Sequence, residues 1–192
     1  MQALISMTVS ACYYHLRRIR QLRHCLDKDD RQRLVSALVA YCNVALVGLP
    51  AISLAPLQRV INAAARFVAN LRPRDHVSHV LRDLHWLPIR ERISYKVCLM
   101  MFNVVNGTAP TYMTGMVTRI SDLPGRCHLR SAAEGLFDVP RTRTVFGSRA
   151  FSVAGPVAWN GLPAHVRAIR DVIPFKSALK THFFQLAYAI SP

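Results

Sequence analysis

Apolar residues along this chain recur mostly three and four positions apart, the period of helices that bury one side. Ile5, Val9, Cys12, Leu16, Ile19 and Leu26 form one such stripe and predict an amphipathic helix over residues 4–26. Rotated by one residue, Tyr13, Arg17, Arg20 and His24, flanked by Arg18 and Arg23, make a cationic face. That face suits a phosphate backbone, and equally the solvated side of a core helix. Asp27, Asp29 and Asp30 then stand where a cap and first-turn acids belong. A second helix is expected over residues 30–47 on Leu34, Val35, Leu38, Val39, Cys42 and Leu46, closed by Gly48 and Pro50. Asp29 and Asp30 make a poor metal pair, because neighbours on a helix point about 100° apart.

The third stripe lies in SLAPLQRVINAAARFVANLRP, with Leu57, Val60, Ile61, Ala64, Phe67, Val68 and Leu71 inward. Arg59, Asn62, Ala63, Arg66 and Asn70 share another face, and the Ala63–Ala65 run lets a neighbour approach closely. Val77, Val80, Leu81 and Leu84 predict a short helix closed by HWLP, where His85 and Trp86 suit an active site or a base-stacking platform but read better as a wedge in the core. Pro88 suits the first turn of a long helix on Ile89, Ile93, Val97, Met100, Met101 and Val104, ending at Gly107. TAPTYMTGMV adds a short helix. Beyond it Gly and Pro punctuate loops, and LFDVP and TVFGSRAFSV alternate enough for a small two-strand element. The last helix, in VIPFKSALKTHFFQLAYAI, turns Phe175, Leu179, Phe183 and Leu186 inward and Lys176 and Lys180 outward. The fold class is mainly α: a helical bundle followed by a helical tail with a small irregular or two-stranded β element.

Composition then adds a partner. Lys and Arg total 25 against 10 Asp and Glu, a formal charge of +15, and 21 of the 25 cations are Arg. Guanidinium forks match phosphate oxygens in pairs, whereas ammonium acts as a point charge, so a polyanion such as an RNA or DNA backbone is the expected partner. Cys12, Cys25, Cys42, Cys98 and Cys127 are odd in number and widely spaced, which fits neither a zinc site nor a disulfide framework. The opening MQALISMTVSACYYHLRR has no cation ahead of its apolar start, unlike a cleaved leader, and no apolar run is long enough to span a bilayer. A cytoplasmic or nuclear chain with no membrane association is expected.

Catalytic patterns are missing. Neither a phosphate-cradling G-x-x-x-x-G-K nor G-x-G-x-x-G occurs, nor G-x-S-x-G, nor H-E-x-x-H. The eight histidines are scattered, with His76 and His79 the one close pair and no third ligand evident. No catalytic residue, metal ligand or cofactor is expected.

The stretch LQRVINAAARFVANLRPRDHVSHVLRDLHWLPIRERISYKVCLMMFNVVNGTAPTYM resembles the carboxy-terminal part of the reverse transcriptase of LINE-type, Jockey-like non-LTR retrotransposons. There LQRVQNAAARL, a DH dipeptide, LHWLPV..RI.YK and NG.AP.YL follow one another at these intervals. The likeness continues through CHLRSA, VPRTRT, FGSRAFSVAGPVAWNGLP and FKSALKTHFF, and backward through SACYYHLRRIRQLR and YCN...GLP, covering nearly all 192 residues. LVSALVAYCN lacks the few residues, commonly of SRLD type, that the family carries before its YCN; losing about four residues removes roughly one helical turn.

The resemblance implies that residues 1–72 correspond to thumb helices and residues 73–192 to a post-thumb tail. It implies a thumb that grips a template–primer duplex, with Arg17, Arg20, Arg59 and Arg66 on its backbone, an RNA/DNA hybrid being one such duplex. It also implies a tail that contacts RNA or target through Arg141, Arg143 and Arg149. The family is an RNA-directed DNA polymerase, but its YADD-like motif and upstream aspartate have no counterpart here, so these residues are expected not to polymerise. In VPRTRTVFGSRAFSVAGPVAWNGLP the arginines read as ligands and Phe146, Phe151 and Trp159 as a packed cluster, with Pro140, Gly155, Pro156 and Pro163 setting turns. Two other classes stay open: an interaction module that joins copies of itself or a host protein through apolar surface, and a non-functional relic.

Overall fold

A computed structural model describes residues 2–22, 24–27, 29–33, 46–125 and 134–188. It is mainly helical, and its contacts divide it into two compact units, Met1–Arg92 with Ala187–Pro192, and Ile93–Leu186. Most of the second predicted helix, with Leu34, Val35, Leu38, Val39 and Cys42, lies outside the described residues, as do Arg23 and CHLRSA.

In the first unit, α1 (Gln2–Gln21) packs on α2 (Ala51–Val68). Ile5, Cys12 and Leu16 are buried from one side, and Leu57, Val60, Ile61, Ala64, Phe67 and Val68 from the other. Ala64 and Ala65 are wholly covered, the small residues at which a second backbone can come close. Helix α1 stops at Gln21, short of the expected residue 26, and Leu26 is half-buried beyond it. Asp27 acts as a cap, as expected, its Oδ1 accepting from Asp30 N at 2.7 Å.

Two helix ends in this unit use one device. The chain leaves α2 through Asn70 at φ 58° while Leu71 N donates back to Arg66 O at 2.9 Å. It leaves α3 (Ser78–Asp83) through His85 at φ 52° while Trp86 N donates to Leu81 O at 2.8 Å. A left-handed residue followed by a bond spanning six residues satisfies the orphan carbonyls and turns the next side chain back over the helix. His85 is therefore exposed and only Trp86 is buried, which corrects the expectation that both rings wedge into the core. Helix α4 (Ile89–Val105) begins after Pro88, and its first amide, Ile89 N, donates to Gln58 Oε1 from α2 at 2.9 Å.

The second unit is built round aromatic rings. Phe102 of α4 stacks on Phe175 at 4.1 Å between centroids, Trp159 lies 6.0 Å from Phe175, and Phe137 meets Trp159 edge-on at 6.4 Å. Helix α5 (Thr111–Thr114) comes after a turn at Gly107, φ 69°. One antiparallel bridge, Arg119 to Phe137, is the β pairing among the described residues. LFDVP thus pairs with the segment around Arg119, and not with TVFGSRAFSV.

The segment that follows holds the main correction. Phe151–Asn160 is a helix, α6, with Gly155 and Pro156 inside it, not a series of turns. Gly and Pro mislead here, because Val153, Pro156 and Trp159 are spaced by three and bury one helical stripe. The last elements are α7 (Ala164–Arg167) and α8 (Val172–Tyr188). Phe175, Leu179 and Phe183 of α8 are buried as expected, but Leu186 is 63% exposed because the core they serve ends a turn earlier.

Candidate nucleic-acid interface

Helices α1 and α2 enclose a groove of about 440 Å³ whose rim carries Arg17 and Arg20 from one helix and Arg66 and Asn70 from the other. Tyr13 stands beside them, and Leu16, Ala63 and Phe67 form the apolar lining. The spacing produces this: positions 13, 17 and 20 of α1 fall on one side, next to the stripe that buries Leu16 against α2. Arg66 is half-buried and fixed, its Nε donating to Asp75 O at 3.0 Å. The Asp75 carboxylate accepts from Arg72 N at 2.8 Å, so the loop after α2 folds back beneath Arg66. Among the described residues no acidic side chain lines the groove.

Arg59 stands apart from this set. It lies seven residues before Arg66, about two turns along the same face, and shares a mostly apolar groove of about 410 Å³ with Arg90. Three of the four expected thumb contacts therefore converge and the fourth does not. Arg90 carries no pattern that marks it in the sequence; it is near Arg59 only because α4 starts beside α2.

In the second unit Arg141 and Arg143 are exposed and Arg149 is half-buried. Trp159 is buried as expected and Phe151 half-buried, but Phe146 is 78% exposed, which overturns its place in a packed cluster. The cause is a 3-10 turn at Gly147–Arg149 that closes before α6 begins and leaves the ring on its outer side. The Trp-Asn pair of AWNGLP is architectural. Asn160 Nδ2 donates to Phe137 O at 2.7 Å and its Oδ1 accepts from Phe137 N at 3.0 Å, while Trp159 Nε1 donates to Gly135 O at 3.3 Å.

Composition overstates the cations free to bind. The Arg167 side chain is 9% exposed, and its Nη1 donates to Asn160 O at 3.1 Å and Leu162 O at 2.8 Å, closing the end of α6. Its Nη2 lies 3.6 Å from Glu134. Burial holds the Arg92 guanidinium below its usual range. Arg119 donates from Nη2 to Val105 O at 3.0 Å. Arg167 thus closes the fold around α6, whereas Arg119 keeps an exposed side chain beyond its single bond.

No three His, Cys, Asp or Glu side chains gather as a metal site among the described residues, and no helix there is long and apolar enough to cross a membrane. Cys98 is a core thiol; burial pushes it up to about 12, and its Sγ donates to Ala158 O at 3.7 Å. Compared with protein-family models, curated proteins and solved structures, the chain matches none.

Proposed function

We propose that these residues are the thumb and post-thumb part of a non-LTR retrotransposon reverse transcriptase, and that they hold an RNA or DNA backbone without reading its sequence and without catalysis. The carrying observation is the convergence of Arg17, Arg20 and Arg66 on one acid-free groove. Guanidinium groups there replace the counterions of successive phosphates, which supplies affinity and register but no choice of base. Tyr13 and Asn70 add a ring and an amide that can meet sugar or base edges.

Affinity for a labelled RNA hairpin, an RNA/DNA hybrid and duplex DNA, measured across a salt series, tests this. Each phosphate contact adds about 0.9 to the log–log slope for duplex DNA, so R17A/R20A is expected to lower the slope by about 1.8. An unchanged slope, or no salt dependence in the parent chain, refutes the proposal. One observation favours a second reading: Leu4, Met7 and Tyr14 on α1 are exposed at a spacing of three and seven, an apolar stripe open to another copy or a host protein. Light scattering showing a clean monomer across the micromolar range would dismiss self-association.

A further inference from the structure

Phe146 and its neighbour Val145 are among the most exposed large apolar side chains described, at 78% and 82%. An isolated exposed apolar residue means little. These two, however, sit on a turn that hydrogen bonds hold in shape. Gly147 N donates to Thr144 Oγ1 at 3.0 Å, Ser148 N to Thr144 O at 3.1 Å, and Ser148 Oγ to Val145 O at 2.8 Å. Arg149 N donates to Phe146 O at 3.1 Å. Gly147 also lies close on Thr142: an added Cβ would come within 3.3 Å of Thr142 Cβ and 3.0 Å of Thr144 Oγ1. The ring is thus presented by an ordered turn.

Its surroundings define the partner. Arg141 and Arg143 are exposed just before the turn, with the hydroxyls of Thr142 and Thr144 between and after them. No acidic residue occurs from Val139 to Arg170. An aromatic face with guanidinium groups and hydroxyls beside it and no acids matches an unpaired base with its adjoining phosphates. We propose that Phe146 is a stacking platform for an unpaired base of RNA or DNA, with Arg141 and Arg143 holding the phosphates on either side. This rests on the nucleic-acid reading above but adds a selectivity that groove contacts lack: preference for bulged or single-stranded over fully paired nucleic acid.

The test compares the parent chain, F146A and F146W on four labelled ligands: an RNA duplex with a three-nucleotide bulge, the same duplex fully paired, and single-stranded RNA and DNA of one sequence. Circular dichroism confirms folding, which loss of an exposed ring should not disturb. Loss of one stacked base is expected to weaken F146A on the bulged and single-stranded ligands by about 5- to 150-fold while the paired duplex and the salt slope stay unchanged. F146W should retain the preference, and its fluorescence should be quenched by the unpaired ligands; Trp86 and Trp159, 6% and 2% exposed, supply a constant background. Equal weakening on paired and unpaired ligands, or none, overturns the stacking role and leaves the groove reading standing. Salt-independent or absent binding by the parent chain overturns both. A blue shift of F146W on phosphatidylserine vesicles without quenching by any oligonucleotide overturns the proposal in favour of a lipid surface. Comparison of the two single strands reports which nucleic acid the platform takes.

Discussion

Gly155 lies inside α6 and is buried, so replacing it with alanine sets two effects against each other. Alanine is favoured over glycine in a helix interior by about 1 kcal/mol, and on that ground alone G155A would stabilise the chain. The added Cβ, however, would stand 2.7 Å from Met101 Sδ and 3.2 Å from Phe151 Cε2. Met101 is fully buried on α4, and the atom struck is the middle of its side chain, so relief requires repacking of the core. Overpacking of this kind costs about 1–3 kcal/mol. The two offset in part, leaving a net loss of up to about 2 kcal/mol and a fall in Tm of up to roughly 8 °C for a chain of this length. Thermal and urea unfolding read the change. G161A is the control: at the end of α6 its Cβ would meet nothing closer than Val157 O at 3.4 Å, and an effect within about 0.5 kcal/mol is expected. In M101A the space opens, so the added methyl should cost less there than in the parent, a coupling of at least about 0.5 kcal/mol. A Tm for G155A clearly above the parent would refute the close approach of α6 to α4.

The same geometry sets three further outcomes. N160A removes both bonds to the Phe137 peptide and leaves its amide and carbonyl unmet, costing about 1–3 kcal/mol in urea unfolding; N160D keeps the acceptor and loses the donor, so it should fall between N160A and the parent. His182 is held below its usual value by burial and by His165 nearby, so the folded chain binds that proton less readily than the unfolded one. Its contribution to stability is then present above pH about 6.5 and lost as pH falls through the folded value; Tm across pH 4.5–8 should decline on the acid side, less steeply in H182Q. Among the described thiols Cys25 is exposed, whereas Cys98 is buried and pushed up to about 12, so alkylation followed by mass spectrometry should mark Cys25 in the native chain and Cys98 only after denaturation.

Helices with a sustained one-sided stripe were legible from the order of residues alone. The stripes that contain Ile5, Cys12 and Leu16, then Leu57 to Val68, then Phe175 to Phe183, each became a buried face, because period and burial are local consequences of helix geometry. Arg17, Arg20 and Arg66 were marked by position on the flanks of those stripes. Other features depended on partners distant in the chain. Nothing near Gln58 says that it receives the first amide of α4 thirty-one residues later, and nothing near Arg167 says that it closes α6 in place of binding phosphate. The separation of Arg59 from the groove and the outward ring of Phe146 likewise had no local signature, whereas the helix across Gly155 and Pro156 had one in the three-residue spacing of Val153, Pro156 and Trp159. A side chain's face on its own helix is set by the backbone it is part of; whether that face meets a core, a groove or water is set by which other elements arrive there, and only the tertiary structure brings them.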